Sequence, residues 1–148
     1  MTTVIVGAGG QLGRALQRQF PDAVALDRAA LDVSDPAAVR DFDWSAVDIV
    51  LNAAAYTKVD AAEDPANLAA VRAANTDAVG YLAEQAERWR CTLVHVSTEY
   101  VFDGNHEGPI PEDLEPFPLS VYGQRKADGD LHLAGLERHY LIRTTWVV

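Results

Sequence analysis

Cysteine is nearly absent from this sequence of 148 residues, in which Cys91 is the single example. One thiol can form neither an internal disulfide framework nor a cysteine-based zinc site, so both are excluded. Basic residues are also scarce, because 12 lysines and arginines face 22 aspartates and glutamates, giving a net charge of −10. Nucleic-acid binding requires a basic face, so we expect no nucleic-acid partner.

Long hydrophobic runs are missing as well. No stretch approaches the roughly 18 apolar residues that a membrane span needs, and the N-terminus lacks the basic segment that opens a signal peptide. We therefore expect no membrane partner and a cytoplasmic location. Hydrophobic residues make up 49% and charged residues 23% of the chain, as is typical of globular proteins. At about 150 residues per domain, the length predicts one domain over residues 1–148.

Short apolar runs without polar alternation are separated by helical patterns along the whole chain. They predict strands at residues 3–6, 23–26, 48–52, 91–96 and 140–143, with a further short strand at 30–33. Helical spacing follows at 12–20, from 34–36 onward, over 65–89 and from 122 to about 134. Such an alternation predicts an α/β fold with a doubly wound parallel sheet, covered on both faces. The chain stops just after a strand, so we expect it to be part of a longer protein.

Three glycines, Gly7, Gly10 and Gly13, lie between the first strand and the first helix. In a dinucleotide site the first permits the turn, the second lets the backbone approach a pyrophosphate, and the third lets helix and strand pack closely. The phosphates would then meet the amides at the helix N-terminus. The simpler interpretation is a strand–helix turn that needs glycine only for its shape.

The segment after the second strand bears on which dinucleotide is bound. Asp27 can accept a hydrogen bond from the adenosine ribose of NAD, whereas Arg28 can face the 2′-phosphate of NADP. Asp32, followed by Val33, can contact the adenine or simply begin the next helix. Both cofactors remain open at this point.

A Tyr-x-x-x-Lys pattern, Tyr122 and Lys126, places both side chains on one helix face. An ammonium beside a phenol is expected to lower the tyrosine pKa and so favour proton exchange. The chain has ten arginines but two lysines, and Lys126 is one of them. Ser97 and Thr98 end the preceding strand, and a hydroxyl there can orient a carbonyl. A solvated helix face is the alternative interpretation.

Together these features resemble the dTDP-4-dehydrorhamnose reductases, a branch of the extended short-chain dehydrogenase/reductases. Six segments carry the resemblance in family order. They are residues 7–13 (GAGGQLG), 31–36 (LDVSDP), 52–57 (NAAAYT), 97–104 (STEYVFDG), 118–123 (PLSVYG) and 143–147 (RTTWV). Each is weak alone, but together they span essentially the whole chain.

The resemblance implies an NAD(P)-binding Rossmann fold without the C-terminal substrate domain, NADPH or NADH as cofactor, and a nucleotide-sugar substrate. It implies reduction of the C4 ketone of dTDP-4-dehydro-L-rhamnose to dTDP-L-rhamnose, for cell-surface polysaccharide. Tyr122 would donate the proton, Lys126 would tune Tyr122 and hold the nicotinamide ribose, and Thr98 would bind the ketone. The remaining implied cofactor contacts are Gly7, Gly10, Gln11, Leu12, Gly13, Asp27, Arg28, Asp32, Val33, Ala54, Ala55 and Tyr56. The implied sugar contacts are Thr98, Glu99 and Trp146.

Two departures from the family pattern affect these expectations. Glu99 stands where the family usually has Asp, which moves a carboxylate that contacts the sugar. Ala15 stands where some relatives place an acid that binds Mg²⁺, so we expect no metal site. The resemblance also allows a homodimer. Other functions stay open: a different nucleotide-sugar 4-ketoreductase or epimerase, or an NADP-binding regulatory subunit of methionine adenosyltransferase.

Overall fold

A single parallel sheet organises the chain. The computed structural model describes residues 1–145. The strands are β1 (Thr3–Val6), β2 (Val24–Leu26), β3 (Ile49–Asn52), β4 (Thr92–Thr98) and β5 (His139–Thr144), in the order β2-β1-β3-β4-β5. All neighbouring pairs are parallel. The chain moves outward from β1 to β2 and then returns to build the other side, so the predicted doubly wound α/β fold is confirmed.

Helices connect the strands. They are α1 (Gln11–Gln19), α2 (Pro36–Asp41), α3 (Leu68–Arg72), α4 (Ala78–Trp89) and α5 (Val121–Asp130), with a π-helical turn (Ala73–Asp77) between α3 and α4. Local chemistry sets two of the starts. The Asp35 carboxylate accepts the Ala37 and Ala38 amides before α2, and the Ser120 hydroxyl accepts the Gly123 amide before α5. Both residues are good N-caps, since they satisfy amides that lack a partner in the first turn.

The strands at the centre of the sheet supply the core. Val4, Val50 and Leu93 are almost fully buried, as expected for parallel strands covered on both faces. Trp44 is also buried, and its indole Nε1 donates to the Val39 carbonyl over 2.7 Å. Over residues 1–145, the structure contains no helix with the length and apolar character required to cross a bilayer.

The predicted short strand at residues 30–33 is wrong. The Asp27 carboxylate accepts the Ala29 and Ala30 amides at 3.0 and 2.9 Å, and Asp32 accepts the Ser34 amide at 3.0 Å. These local bonds turn the backbone and compete with strand pairing. The predicted helical stretch at 65–89 is confirmed, but it contains the π-helical turn that its sequence did not predict.

Candidate active site

A cavity of about 400 Å³ opens at the carboxyl ends of the strands. This edge, near the point where the strand order reverses, is where open α/β sheets bind ligands. Four predicted segments meet there. The cavity is lined by Gly10, Gln11 and Leu12 from the glycine turn, Ala53, Ala54 and Ala55 after β3, Thr98 and Glu99 after β4, and Tyr122 and Lys126 on α5.

The glycine turn is held by backbone contacts that leave no room for a side chain at Gly7 or Gly13. Gly7 has φ +74°, and a Cβ there would lie 2.5 Å from the Ala54 nitrogen. A Cβ on Gly13 would lie 2.3 Å from the Gly7 oxygen, so this glycine allows α1 to pack against the turn. Gly10 is different, because an added Cβ would approach only the Gly7 oxygen, at 3.4 Å. Its bare backbone therefore leaves space at the start of α1, where the first amides have no partner within the helix.

The predicted adenosine contacts lie outside this cavity. The Asp27 carboxylate holds its own turn through one oxygen, and the exposed Arg28 donates to Asp32 over 3.0 Å. The Ser34 hydroxyl, which hydrogen-bonds to Asp32, lowers the pKa of that carboxyl, and Arg28 adds to the effect. The Val33 side chain packs in the core and does not line the cavity.

Tyr56 is positioned by Asn75, a residue that sequence reasoning missed. The Asn75 Oδ1 accepts the Tyr56 amide over 2.8 Å, and its Nδ2 donates to the Tyr56 carbonyl over 3.0 Å. Asn75 is fully buried in the π-helical turn. An asparagine within an alanine-rich helical stretch was the available signal, but nothing in the sequence indicated its partner.

Tyr122 is 8% exposed and meets Tyr100 edge-to-face, with the ring centroids 5.8 Å apart. Burial raises the pKa of Tyr122, and the Thr98 side chain acts in the opposite direction. The expectation that Lys126 lowers the Tyr122 pKa is therefore wrong for this structure. Desolvation of the phenolate is the largest cause of the shift, and the group that lowers the pKa is the Thr98 hydroxyl, not Lys126.

Lys126 is 2% exposed and lies at the cavity floor. Its Nζ donates to the Val96 carbonyl over 2.9 Å and lies 3.4 Å from His95 Nε2. Burial lowers the pKa of Lys126 to about 8, while the negative charge of Asp130 acts in the opposite direction. Lys126 is thus a cation near its titration point at neutral pH, unlike an ordinary surface lysine.

The predicted substrate contacts differ in what the structure shows of them. Thr98 Oγ1 accepts the Tyr100 amide over 3.2 Å, which fixes the hydroxyl at the cavity wall. Glu99 Oε2 is buried and has no hydrogen-bond partner within residues 1–145. Trp146 lies outside the described residues. In this described range no three histidine, cysteine, aspartate or glutamate side chains form a group suited to a metal ion.

Two further buried residues lie behind Lys126. His95 is fully buried, and Asp130 stands four residues after Lys126 on the same side of α5. The position of His95 on an apolar strand is typical of a core residue, but nothing in the sequence indicates its polar partners. The i+4 spacing from Lys126 to Asp130 was the signal that could have found the second residue.

Comparisons with known proteins agree with this architecture. The model of a protein family described as the RmlD substrate binding domain matches residues 1–148. The dTDP-4-dehydrorhamnose reductase of Aggregatibacter actinomycetemcomitans is 40% identical, with 97% of this chain and 50% of that protein covered. A probable dTDP-4,6-dihydroxy-2-methyloxan-3-one 4-ketoreductase of Streptomyces antibioticus is 41% identical, with 99% of this chain and 52% of that protein covered.

A solved structure shows the same fold. The dTDP-4-dehydrorhamnose reductase of Bacillus anthracis, crystallised with NADP, superposes with a TM-score of 0.92 at 29% identity. The match covers 99% of this chain and 54% of that one. The chain thus spans about half the length of the relatives it matches. Because the family match extends over its whole length, the chain belongs to the family described as the RmlD substrate binding domain.

Proposed function

We propose that residues 1–148 are the cofactor-binding and catalytic half of an NAD(P)H-dependent reductase acting on the C4 ketone of a dTDP-linked sugar. The favoured reaction converts dTDP-4-dehydro-L-rhamnose to dTDP-L-rhamnose. One observation carries the proposal: Thr98, Tyr122 and Lys126 line the same cavity as the glycine turn. The named relatives support the reaction class.

The cavity fits a dinucleotide on three grounds. Gly10 leaves the backbone uncovered beside the unpaired amides of α1, which suits a pyrophosphate. Three alanines after β3 form a low wall against which a flat ring can lie. Lys126 supplies a positive charge at the opposite end. A bound NADPH or NADH would supply the hydride that reduces the carbonyl carbon.

The protein's own groups would handle orientation and the proton. Thr98, fixed by the Tyr100 amide, would donate its hydroxyl hydrogen to the ketone oxygen and hold it near Tyr122. The raised pKa of Tyr122 keeps the phenol protonated at neutral pH, which is the form required of a donor during reduction. Lys126 would stabilise the phenolate left behind and would contact the nicotinamide ribose.

Glu99 favours a second candidate within the same chemistry, a reductase for a different dTDP-linked 4-ketosugar. Glu99 lines the cavity, and its buried Oε2 has no hydrogen-bond partner among the described residues. A buried free acceptor would seek a sugar hydroxyl. The 4-ketoreductase relative from Streptomyces antibioticus belongs to this second class by name.

Calorimetric titration of the 148-residue chain with NADPH and with NADH tests the cofactor half of the proposal. Saturable binding that is lost in Gly10→Val supports it. Gly104→Val is the matched control, since a Cβ on Gly104 meets nothing within 4 Å and Gly104 is not among the residues that line the cavity. Gly104 has φ +77°, so folding of this control is checked by circular dichroism. Absence of binding by a folded chain contradicts the proposal.

The complete gene product tests the reaction. Turnover of dTDP-4-dehydro-L-rhamnose, with the product identified by mass spectrometry and NMR, supports the favoured substrate. Turnover of another dTDP-4-ketosugar instead supports the second candidate. Cofactor binding without turnover of any ketosugar contradicts the reductase assignment.

A further inference from the structure

A buried polar network lies behind the cavity and meets the chemistry proposed above only at Lys126. It runs from Asn52 on β3 through His95 on β4 to Lys126 and Asp130 on α5. It ends at Arg143 on β5, whose Nε donates to Asp130 Oδ2 over 3.2 Å. Burying charged and polar groups is costly unless each finds a partner. The donors in this network therefore indicate which atoms must accept.

The direction of the hydrogen bonds fixes the tautomer of His95. The Ala54 amide donates to Asn52 Oδ1 over 3.1 Å, which turns the Asn52 Nδ2 toward His95 Nδ1 at 3.0 Å. Nδ1 must therefore accept. Burial holds the pKa of His95 well below its usual range, and the Lys126 charge adds to this effect, so the ring is neutral. A neutral ring that accepts at Nδ1 carries its hydrogen on Nε2.

The Nε2 hydrogen faces two neighbours. Lys126 Nζ lies 3.4 Å away and Asp130 Oδ1 lies 3.7 Å away. An ammonium group has no lone pair to accept a hydrogen bond. While Lys126 is charged, His95 can donate only to Asp130, whereas a neutral Lys126 amine can accept the hydrogen itself. The two protonation states of Lys126 thus leave the Nε2 hydrogen different acceptors to turn toward, Asp130 Oδ1 in the charged state and the Lys126 amine in the neutral state.

Asp130 is placed to favour the charged state. It is 7% exposed, and its Oδ1 has no hydrogen-bond partner within residues 1–145, with His95 Nε2 3.7 Å away. Its negative charge acts against the desolvation of Lys126. Arg143 keeps the carboxylate in position from the β5 side.

Other titratable groups on the elements packed against α5 are less well placed. Tyr122, Tyr100 and Glu99 lie on the cavity side. The rest are exposed or half-buried at the surface, where solvent screens them. They are Asp60, Glu63, Arg72, Asp77, Tyr81, Glu84, Glu87, Arg88, Arg125, Asp128 and His132.

We propose that Asp130 is a positioning residue that, through the neutral His95 ring, holds Lys126 in its ammonium form at the cavity floor. The purpose of this arrangement rests on the proposed function, because an ammonium is what would stabilise the Tyr122 phenolate and hold the cofactor ribose. The network itself can be tested without any cofactor.

The scarcity of lysine makes the test direct. A sample labelled with ¹³C-lysine gives Cε signals from Lys126 and the exposed Lys58 alone, so Lys58 serves as the internal reference. In Asp130→Asn the Lys126 titration midpoint should move down by about one pH unit or more, since an opposite charge has been removed. Asp128→Asn, which removes a half-buried carboxylate paired with Arg125 on the same helix, should leave the midpoint unchanged. An unchanged midpoint in folded Asp130→Asn overturns the proposal.

The unaltered chain provides a second measurement should Asp130→Asn fail to fold. Long-range ¹H–¹⁵N spectra should show His95 as the neutral tautomer with its hydrogen on Nε2 from pH 6 to 8, a window chosen around the usual histidine pKa of about 6.5. A hydrogen on Nδ1, or a charged ring, overturns the proposal. If the chain binds neither NADPH nor NADH, the proposed function fails, while the lysine titration and the histidine tautomer still decide the role of Asp130.

Discussion

The two ends of the cavity are built from different materials. The glycine end uses backbone: Gly7 and Gly13 allow main-chain atoms to approach where any Cβ would collide. The opposite end uses buried ionisable side chains, Tyr122 and Lys126, each with a pKa displaced by desolvation. The glycine end should therefore respond to added side-chain atoms and not to pH. The opposite end should respond to pH and less to added atoms.

The largest expected effect is at the ionisable end. In the complete gene product, Tyr122→Phe should lower ketone reduction by roughly 10²–10⁴-fold, the usual contribution of a positioned proton donor. Calorimetry should show nearly unchanged cofactor affinity. Tyr100→Phe is the matched control, because the Tyr100 ring meets Tyr122 edge-to-face. The Tyr100 side chain is exposed, and no proton transfer is assigned to it. Equal losses in both variants would remove Tyr122 from its role.

Lys126 should make stability depend on pH in an unusual direction. The pKa of Lys126 is about 8 in the folded chain against 10.5 for an ordinary lysine, so the unfolded chain binds more protons between these pH values. The free energy of unfolding should therefore rise with pH across this window, by up to about 3 kcal/mol relative to Lys126→Met. Urea denaturation at several pH values measures this difference. Lys58→Met should follow the unaltered chain, and parallel curves for Lys126→Met would contradict the assignment.

The glycine end should respond to one methyl group. Gly13→Ala should lower the free energy of unfolding by about 1–3 kcal/mol or more, because its Cβ would meet backbone atoms that cannot move aside. Gly10→Ala has space for its Cβ and should keep its stability while losing cofactor affinity. Denaturation and titration of both variants separate packing from binding. Similar stability losses in the two variants would show that Gly10 is required for packing as Gly13 is, which contradicts the prediction.

The smallest expected effect concerns cofactor choice. Asp32→Asn removes the charge that holds Arg28 and should shift relative affinity from NADH toward NADPH by a few-fold, because exposed ion pairs are weak. Asp41→Asn breaks a comparable exposed pair with Arg40 away from the turn, and it should leave the ratio unchanged. A shift toward NADH in Asp32→Asn would contradict the expected role of Arg28.

The sequence predicted the backbone end far better than the ionisable end. Glycine spacing and apolar strands are local patterns, and the structure contains both. The Tyr-x-x-x-Lys pattern predicted which ionisable side chains share a helix face, but not how buried they are. The strand at 30–33 was wrong because two aspartates bond to their own backbone, which competes with sheet formation.

The direction of the Tyr122 pKa shift could not be read from the sequence. Helical spacing places a lysine near a tyrosine but does not show how deeply either is buried, and burial decides the sign. Partners distant in sequence, such as Asn75 with Tyr56, were also beyond local patterns.

The number of residues in the π-helical turn fixes how Asn75 is oriented relative to the buried face of α4. The Asn75 side chain donates to the Tyr56 carbonyl, and the absence of a side chain on Gly129 lets the Asn75 carbonyl approach α5. The chain then continues at Ala78 into α4. Deleting one residue from 73–77 would restore a regular helix, and each residue accounts for about 100° of rotation. Either Asn75 would then lose its hydrogen bonds to Tyr56, or the buried face of α4 would rotate out of the core. Substitutions at the surface of this segment should therefore cost little stability, whereas inserting or deleting a residue should cost much more.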